Sequence, residues 1–142
     1  GTIDEDEMKF LEGLTKWMDV NSESIYATRP WRVYGEGETD SAGKFVNNGR
    51  DRPFAGSDIR FVRKGDVLYA TFLAWPGQRA IVRSLARSAT NGNVTKVSLL
   101  GYPGNLKWKQ TKDGLEVAMP VEKPCAHAFV LKIVGKELTA YD

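Results

Sequence analysis

Four tryptophans (Trp17, Trp31, Trp75 and Trp108), one histidine (His127), one cysteine (Cys125) and eighteen carboxylates are the side chains of this 142-residue chain that could do chemistry. An indole ring can fill a core or offer its flat face to a ligand, so each tryptophan carries two readings. A lone histidine builds neither a nucleophilic triad nor a multi-histidine metal site, and His127 reads as a structural or surface residue. Cys125 follows Pro124 at the start of a strand and has no base in view, so it reads as a small buried hydrophobe. Being single, it excludes an intrachain disulfide and a cysteine metal cluster. No cofactor is expected. A pair of carboxylates doing general acid/base chemistry meets across a cleft, which spacing along a chain does not display. Asp4–Glu7 suit a helix start, and Glu36 and Glu38 lie in a glycine-rich stretch where solvated loop acids are the plainer reading. Gly35-Glu36-Gly37 is no phosphate loop, because it lacks the lysine and hydroxyl at the required spacing.

Composition limits the partners. Hydrophobic residues at 42% and charged residues at 27% belong to a globular chain long enough for one buried core. The longest uncharged run, Val67–Gln78, is broken by Pro76 and Gly77 and falls short of a membrane helix, so no membrane partner is expected. Net charge is +2 with both signs interspersed, which gives a nucleic-acid partner little support. The clusters Arg60/Arg63/Lys64 and Lys107/Lys109/Lys112 read as solvated sheet faces. Gly1–Glu7 is acidic without an apolar segment, and reads as a cut inside a longer protein rather than a signal peptide.

The elements that must position these residues fall into two kinds. Phe10, Leu11, Leu14, Trp17 and Met18 recur at helical spacing, Asp4 and Glu7 fit an acidic capping box, and Asn21 fits a left-handed stop. Gly35–Pro53 has no period and reads as a long exposed loop. From Ser57 the period becomes two. Strands are predicted over Asp58–Arg63, Val67–Trp75, Ala80–Leu85, Val94–Leu100, Leu106–Gln110, Leu115–Met119 and Ala126–Val134. Asp113-Gly114 signals a hairpin with positive φ at both central residues, and Tyr102-Pro103-Gly104 a type II turn. The fold class is mainly β: an antiparallel β-sandwich of about seven to eight strands preceded by one amphipathic helix.

One ordered set of motifs goes further. Trp17–Tyr26 (W-M-D-V-N-S-E-S-I-Y), Thr28–Trp31 (T-R-P-W) and Tyr34–Gly37 (Y-G-E-G) resemble the seam of the α-L-fucosidases of glycoside hydrolase family 29. There the last helix of a catalytic (β/α) barrel hands over to a C-terminal β-sandwich. Asp58–Gly65, Leu68–Ala70, Val97–Gly101, Leu106–Gln110, Asp113–Leu115 and Pro124-Cys125 before Phe129–Ile133 are similar to strands of that sandwich. The run Asp40–Asp51 has no clear counterpart in the pattern.

The resemblance implies two pieces: residues 1–34 as terminal helix and linker of a missing barrel, and 35–142 as the C-terminal sandwich. It implies a parent that hydrolyses α-L-fucosyl linkages by a retaining mechanism, with both carboxylates upstream of Gly1. No position here matches a catalytic residue. The partners implied are the missing barrel and, through the parent, a fucosylated glycan; the helix face is also a candidate surface for a homodimer. Arg29, Trp31, Tyr34, Glu36, Trp75 and Trp108 are the candidate sugar or barrel contacts, with Trp31 and Arg29 foremost for the barrel. The alternatives are an independent carbohydrate-binding module, which needs a flat exposed row of aromatics, and a plain interaction domain.

Overall fold

A computed structural model describes residues 5–37, 56–87, 92–125 and 128–138. Asp4, Glu38, the run Asp40–Asp51 and His127 lie outside the described residues. Helix α1 spans Glu5–Asn21, with Glu5, Asp6 and Glu7 at the positive end of its dipole. It runs into a 3-10 turn, Ser22–Ser24. Asn21 does end the helix, but with φ −117° rather than a left-handed angle. Its side chain performs the stop instead: the buried amide donates back to the Trp17 carbonyl at 3.2 Å.

Among the described residues eight strands follow: β1 Arg29–Glu36, β2 Ile59–Lys64, β3 Val67–Phe72, β4 Arg79–Val82, β5 Asn93–Leu99, β6 Trp108–Thr111, β7 Gly114–Ala118 and β8 Phe129–Lys136. They make two antiparallel sheets, of order β1-β2-β3-β8-β5 and β4-β7-β6. The alternation read from sequence sets the register. Ile59 pairs with Phe72 and Phe72 with Phe129, so apolar residues of three neighbouring strands share one face. That face, with Leu68, Ala70, Leu131, Ile133, Val97 and Leu99, packs on Ala80, Val82, Leu115 and Val117 of the smaller sheet. The outer face of the larger sheet carries a second cluster around Tyr69, Val130 and Leu100, and the end of α1 (Trp17, Val20) closes over it.

Several details depart from expectation. The glycine-rich stretch begins as strand rather than loop, for β1 runs through Gly35 and Glu36. Gly35 is what allows it, since a Cβ there would meet the Ile59 carbonyl oxygen at 2.5 Å. The boundary expected between Tyr34 and Gly35 therefore falls inside β1, and residues 29–34 are part of the larger sheet. The third expected strand stops at Val82, where Arg83–Leu85 turns into a 3-10 segment. The turn near Pro103 lies earlier: the Tyr102 amide donates to the Leu99 carbonyl at 3.0 Å, with Gly101 at φ +86°. In the β6–β7 hairpin Thr111 pairs with Gly114, so its central residues are Lys112 and Asp113. Among the described non-glycine residues only Ala27 and Glu137 have positive φ.

Candidate functional site

At the seam the ring of Trp31 turns inward. It is 5% exposed, packs edge-on against Phe61 at 4.9 Å and donates from Nε1 to the Leu138 carbonyl at 2.9 Å. Alternation along β1 explains this, because Trp31 and Val33 face the core while Pro30, Arg32 and Tyr34 are exposed; Arg29, two residues before Trp31, is exposed because it opens the strand beyond the core. Arg29 and Trp31 thus do not share an outward surface. Arg32 lies over the indole, its guanidinium carbon 4.5 Å from the ring centroid. Tyr34 is 53% exposed and stacks with Arg60 at 5.3 Å.

Glu36 has a task that its sequence context concealed. Its Oε2 accepts from the Arg83 amide at 2.8 Å and its Oε1 from the Ser84 amide at 2.9 Å. One carboxylate so satisfies two donors that open the 3-10 turn, which have no partner within it. Glu36 also lines a hollow of about 570 Å³ with Gly37, Ser57, Pro76, Arg79 and Arg83.

Trp75 is half-buried and packs edge-on against Phe129 at 4.8 Å, with the Lys123 ammonium 5.9 Å from its ring. Trp108, also half-buried, opens the edge strand β6 beside a hollow of about 220 Å³. Arg79 and Lys109 rim that hollow, holding Glu116 at 2.9 and 3.9 Å. Trp31, Trp75 and Trp108 make no exposed flat row. Among the described residues no three His, Cys, Asp or Glu side chains converge as metal ligands.

Helix α1 changes character along its length. Trp17 and Val20 dock, and the Trp17 indole donates to the Ala128 carbonyl at 3.0 Å. Asn21 donates to Cys125 Sγ at 3.5 Å, and that thiol, its pKa pushed up by burial, donates to the Ala128 carbonyl at 3.1 Å. Earlier in the helix Met8, Phe10, Leu11 and Leu14 are exposed, Phe10 by 70%. Phe10, Leu14 and Trp17 line an apolar hollow of about 440 Å³ ending at Ala128. The helix therefore leaves the sandwich carrying an uncovered apolar stripe.

The family profile described as the alpha-L-fucosidase C-terminal domain matches residues 52–134, well over half of the chain. The chain belongs to that family. This fucosidase C-terminal domain is 32% identical over 130 residues to human tissue alpha-L-fucosidase, and 31% identical over 130 residues to an alpha-L-fucosidase of Branchiostoma floridae. Each alignment takes in 88% of the chain and 24% of the relative, so the domain spans about a quarter of their length. Among solved structures, Thermotoga maritima alpha-fucosidase in complex with fucose superposes with a TM-score of 0.64 at 25% identity. It covers 94% of this chain and 28% of that one. A Bacteroides thetaiotaomicron alpha-L-fucosidase at 18% identity shares the fold over the whole chain, with a TM-score of 0.60.

Two acids hold connections that their sequence context did not reveal. Glu36 finds its donors 47 and 48 residues on. Glu23 meets Tyr69 and Lys132 across the outer face of the larger sheet. In the sequence Glu36 stood as a loop acid and candidate sugar or barrel contact, and Glu23 only as one letter of the seam motif.

Proposed function

We propose that this chain is the non-catalytic C-terminal accessory domain of an alpha-L-fucosidase. In that reading a barrel preceding α1 hydrolyses terminal α-L-fucosyl linkages with two carboxylates and a retaining mechanism. The sandwich buttresses the barrel, and residues 5–21 form the helix they share. The observation that carries the reading is the uncovered stripe Met8, Phe10, Leu11 and Leu14 on a helix whose other end is docked. An apolar face of that kind marks a surface built to be covered. Arg29 and Tyr34, exposed on β1 beside the same seam, are the side chains of the candidate set best placed to touch the barrel. The expected assay is plain: the 142-residue chain gives no turnover of an aryl α-L-fucoside, whereas the parent does. Turnover by the chain alone, lost on replacing one of its own acids, would overturn the proposal.

A second reading, glycan contact by the sandwich itself, has one observation behind it: the hollow at Trp108, where the Arg79–Glu116–Lys109 group offers polar partners beside an indole. Quenching or enhancement of tryptophan fluorescence by a fucosylated oligosaccharide, abolished in Trp108→Ala, would support it. A flat titration refutes it.

A further inference from the structure

The seam motif N-S-E-S-I-Y holds a residue that neither reading uses. Glu23 lies in the 3-10 turn between α1 and β1, and it is held from both ends. Its Oε2 accepts from the Tyr69 hydroxyl at 2.8 Å and from the Lys132 ammonium at 2.9 Å. Its main-chain carbonyl accepts from the Lys64 ammonium at 2.9 Å. Lys64, Tyr69 and Lys132 belong to β2, β3 and β8, three successive strands of the larger sheet, and Tyr69 and Lys132 are register partners. Tyr69 is buried against the end of α1, so its hydroxyl has a fixed place. One residue thus ties the connection to three strands at once. A second attachment lies one turn back in α1, where Trp17 bonds Ala128 and Asn21 bonds Cys125.

From these contacts we infer that Glu23 is a positioning residue: it clamps the α1–β1 connection to the sheet, making the joint a rigid strut rather than a hinge and fixing where the apolar stripe of α1 is presented. Two attachments on one short segment leave α1 no free axis of rotation. A connection of four residues, Ile25–Thr28, would otherwise permit one. Charge-assisted hydrogen bonds are the strong ones, and here they converge on one oxygen with a neutral donor and a cation. If the proposed function holds, the same clamp sets the angle between barrel and sandwich. The clamp itself does not depend on that reading.

Amide hydrogen exchange on the 142-residue chain tests it, comparing wild type with Glu23→Gln. Loss of a charge-assisted bond predicts roughly tenfold faster exchange in the second half of α1 and in Ser22–Ser24, with β3 and β8 unchanged. Tyr69→Phe, which removes one hydroxyl and is milder on folding, predicts the same pattern at about threefold. Equal acceleration in helix and sheet would show a merely global effect and overturn the proposal, as would unchanged exchange in both variants. Neither result bears on fucosidase activity, so failure of the clamp and failure of the proposed function are read separately.

Discussion

The Trp31 indole donates to the main-chain carbonyl of Leu138, 107 residues away, at 2.9 Å. The bond joins the strand that follows the helix to the segment that leaves β8, from opposite edges of the fold's sequence. Since Trp31 also fills the core against Phe61, Trp31→Ala should cost roughly 3–5 kcal/mol. Trp31→Phe keeps most of the volume but strands the carbonyl, at about 1–3 kcal/mol. Urea denaturation of both variants checks the ranking. A surface role for Trp31 would instead leave the midpoint of each near wild type.

Glu36 should behave as a cap. Glu36→Ala removes both acceptors for the Arg83 and Ser84 amides and should destabilise by about 1 kcal/mol, the usual worth of a lost helix-start acceptor. Glu36→Gln retains one acceptor and should lose less. Thermal midpoints of the pair decide it; equal values would mean the carboxylate does not hold that turn.

How much of this was legible in sequence depends on the range of the physics involved. The strands of the core were, because Leu68, Ala70 and Phe72, or Phe129, Leu131 and Ile133, announce their common face by alternation alone. Strand β1 was not. Pro30, Gly35 and four charged or polar neighbours argue against a strand, and it exists through pairing with β2 and burial of Trp31. The turns slipped by one to three residues because glycine permits positive φ without saying which glycine uses it; Gly101 does, where Gly104 was expected. Buried Gln110 is a like case. Its amide donates to Leu85 and Gly92 and accepts from Val94, partners 16 to 25 residues away. For the candidate site, which of the side chains near the seam motif face inward followed only from the pairing of β1.

The β6–β7 hairpin separates two glycine-related readings. Asp113 has negative φ, whereas Gly114 sits at +151° with room for no Cβ: one there would lie 2.9 Å from the Val82 carbonyl oxygen. Gly114→Ala should therefore cost roughly 1–3 kcal/mol. Asp113→Ala should stay within about 0.5 kcal/mol. Denaturation midpoints of the two single variants test the asymmetry; equal losses would restore positive φ at both positions.

The Glu23–Tyr69 pair gives stability a pH signature. The hydrogen bond from Lys132 foremost, with Tyr69 and the nearby Lys64 charge adding to it, outweighs burial and holds the Glu23 carboxyl below its ordinary 4.5. A depressed carboxylate contributes stability above its unfolded value and loses it as pH falls through the folded value. The Tyr69 hydroxyl is pushed the other way, from 10.0 to about 12, by burial foremost and then by the hydrogen bond and charge of Glu23. Its contribution is complete below pH 10 and drains away as pH rises towards about 12. Wild type should accordingly exceed Glu23→Gln in stability at neutral pH, with the gap closing below pH 4.5. Urea midpoints of the two proteins from pH 3 to pH 7 measure it. A gap constant across that range would remove Glu23 titration from the account.

Helix α1 should show a steep gradient of tolerance along 17 residues. Trp17 packs on the Tyr69–Val130 cluster and donates to Ala128, so Trp17→Ala should cost about 1.5–3 kcal/mol. One and two turns earlier the rule reverses. Phe10 and Leu14 are exposed, so the double variant Phe10→Glu, Leu14→Glu should shift the stability of this chain by no more than about 0.5 kcal/mol. The cost should appear only when the stripe is covered. In the parent enzyme two buried glutamates would face an apolar partner and must desolvate, so the same double variant should lower its thermal midpoint and soluble yield. If the stripe instead pairs two copies of this chain, sedimentation will show the wild type dimeric and the double variant monomeric, and the stability of the wild type will rise with concentration. Monomeric wild type with a destabilised parent variant assigns the face to the barrel, and an unaffected parent would leave the stripe without the role proposed for it.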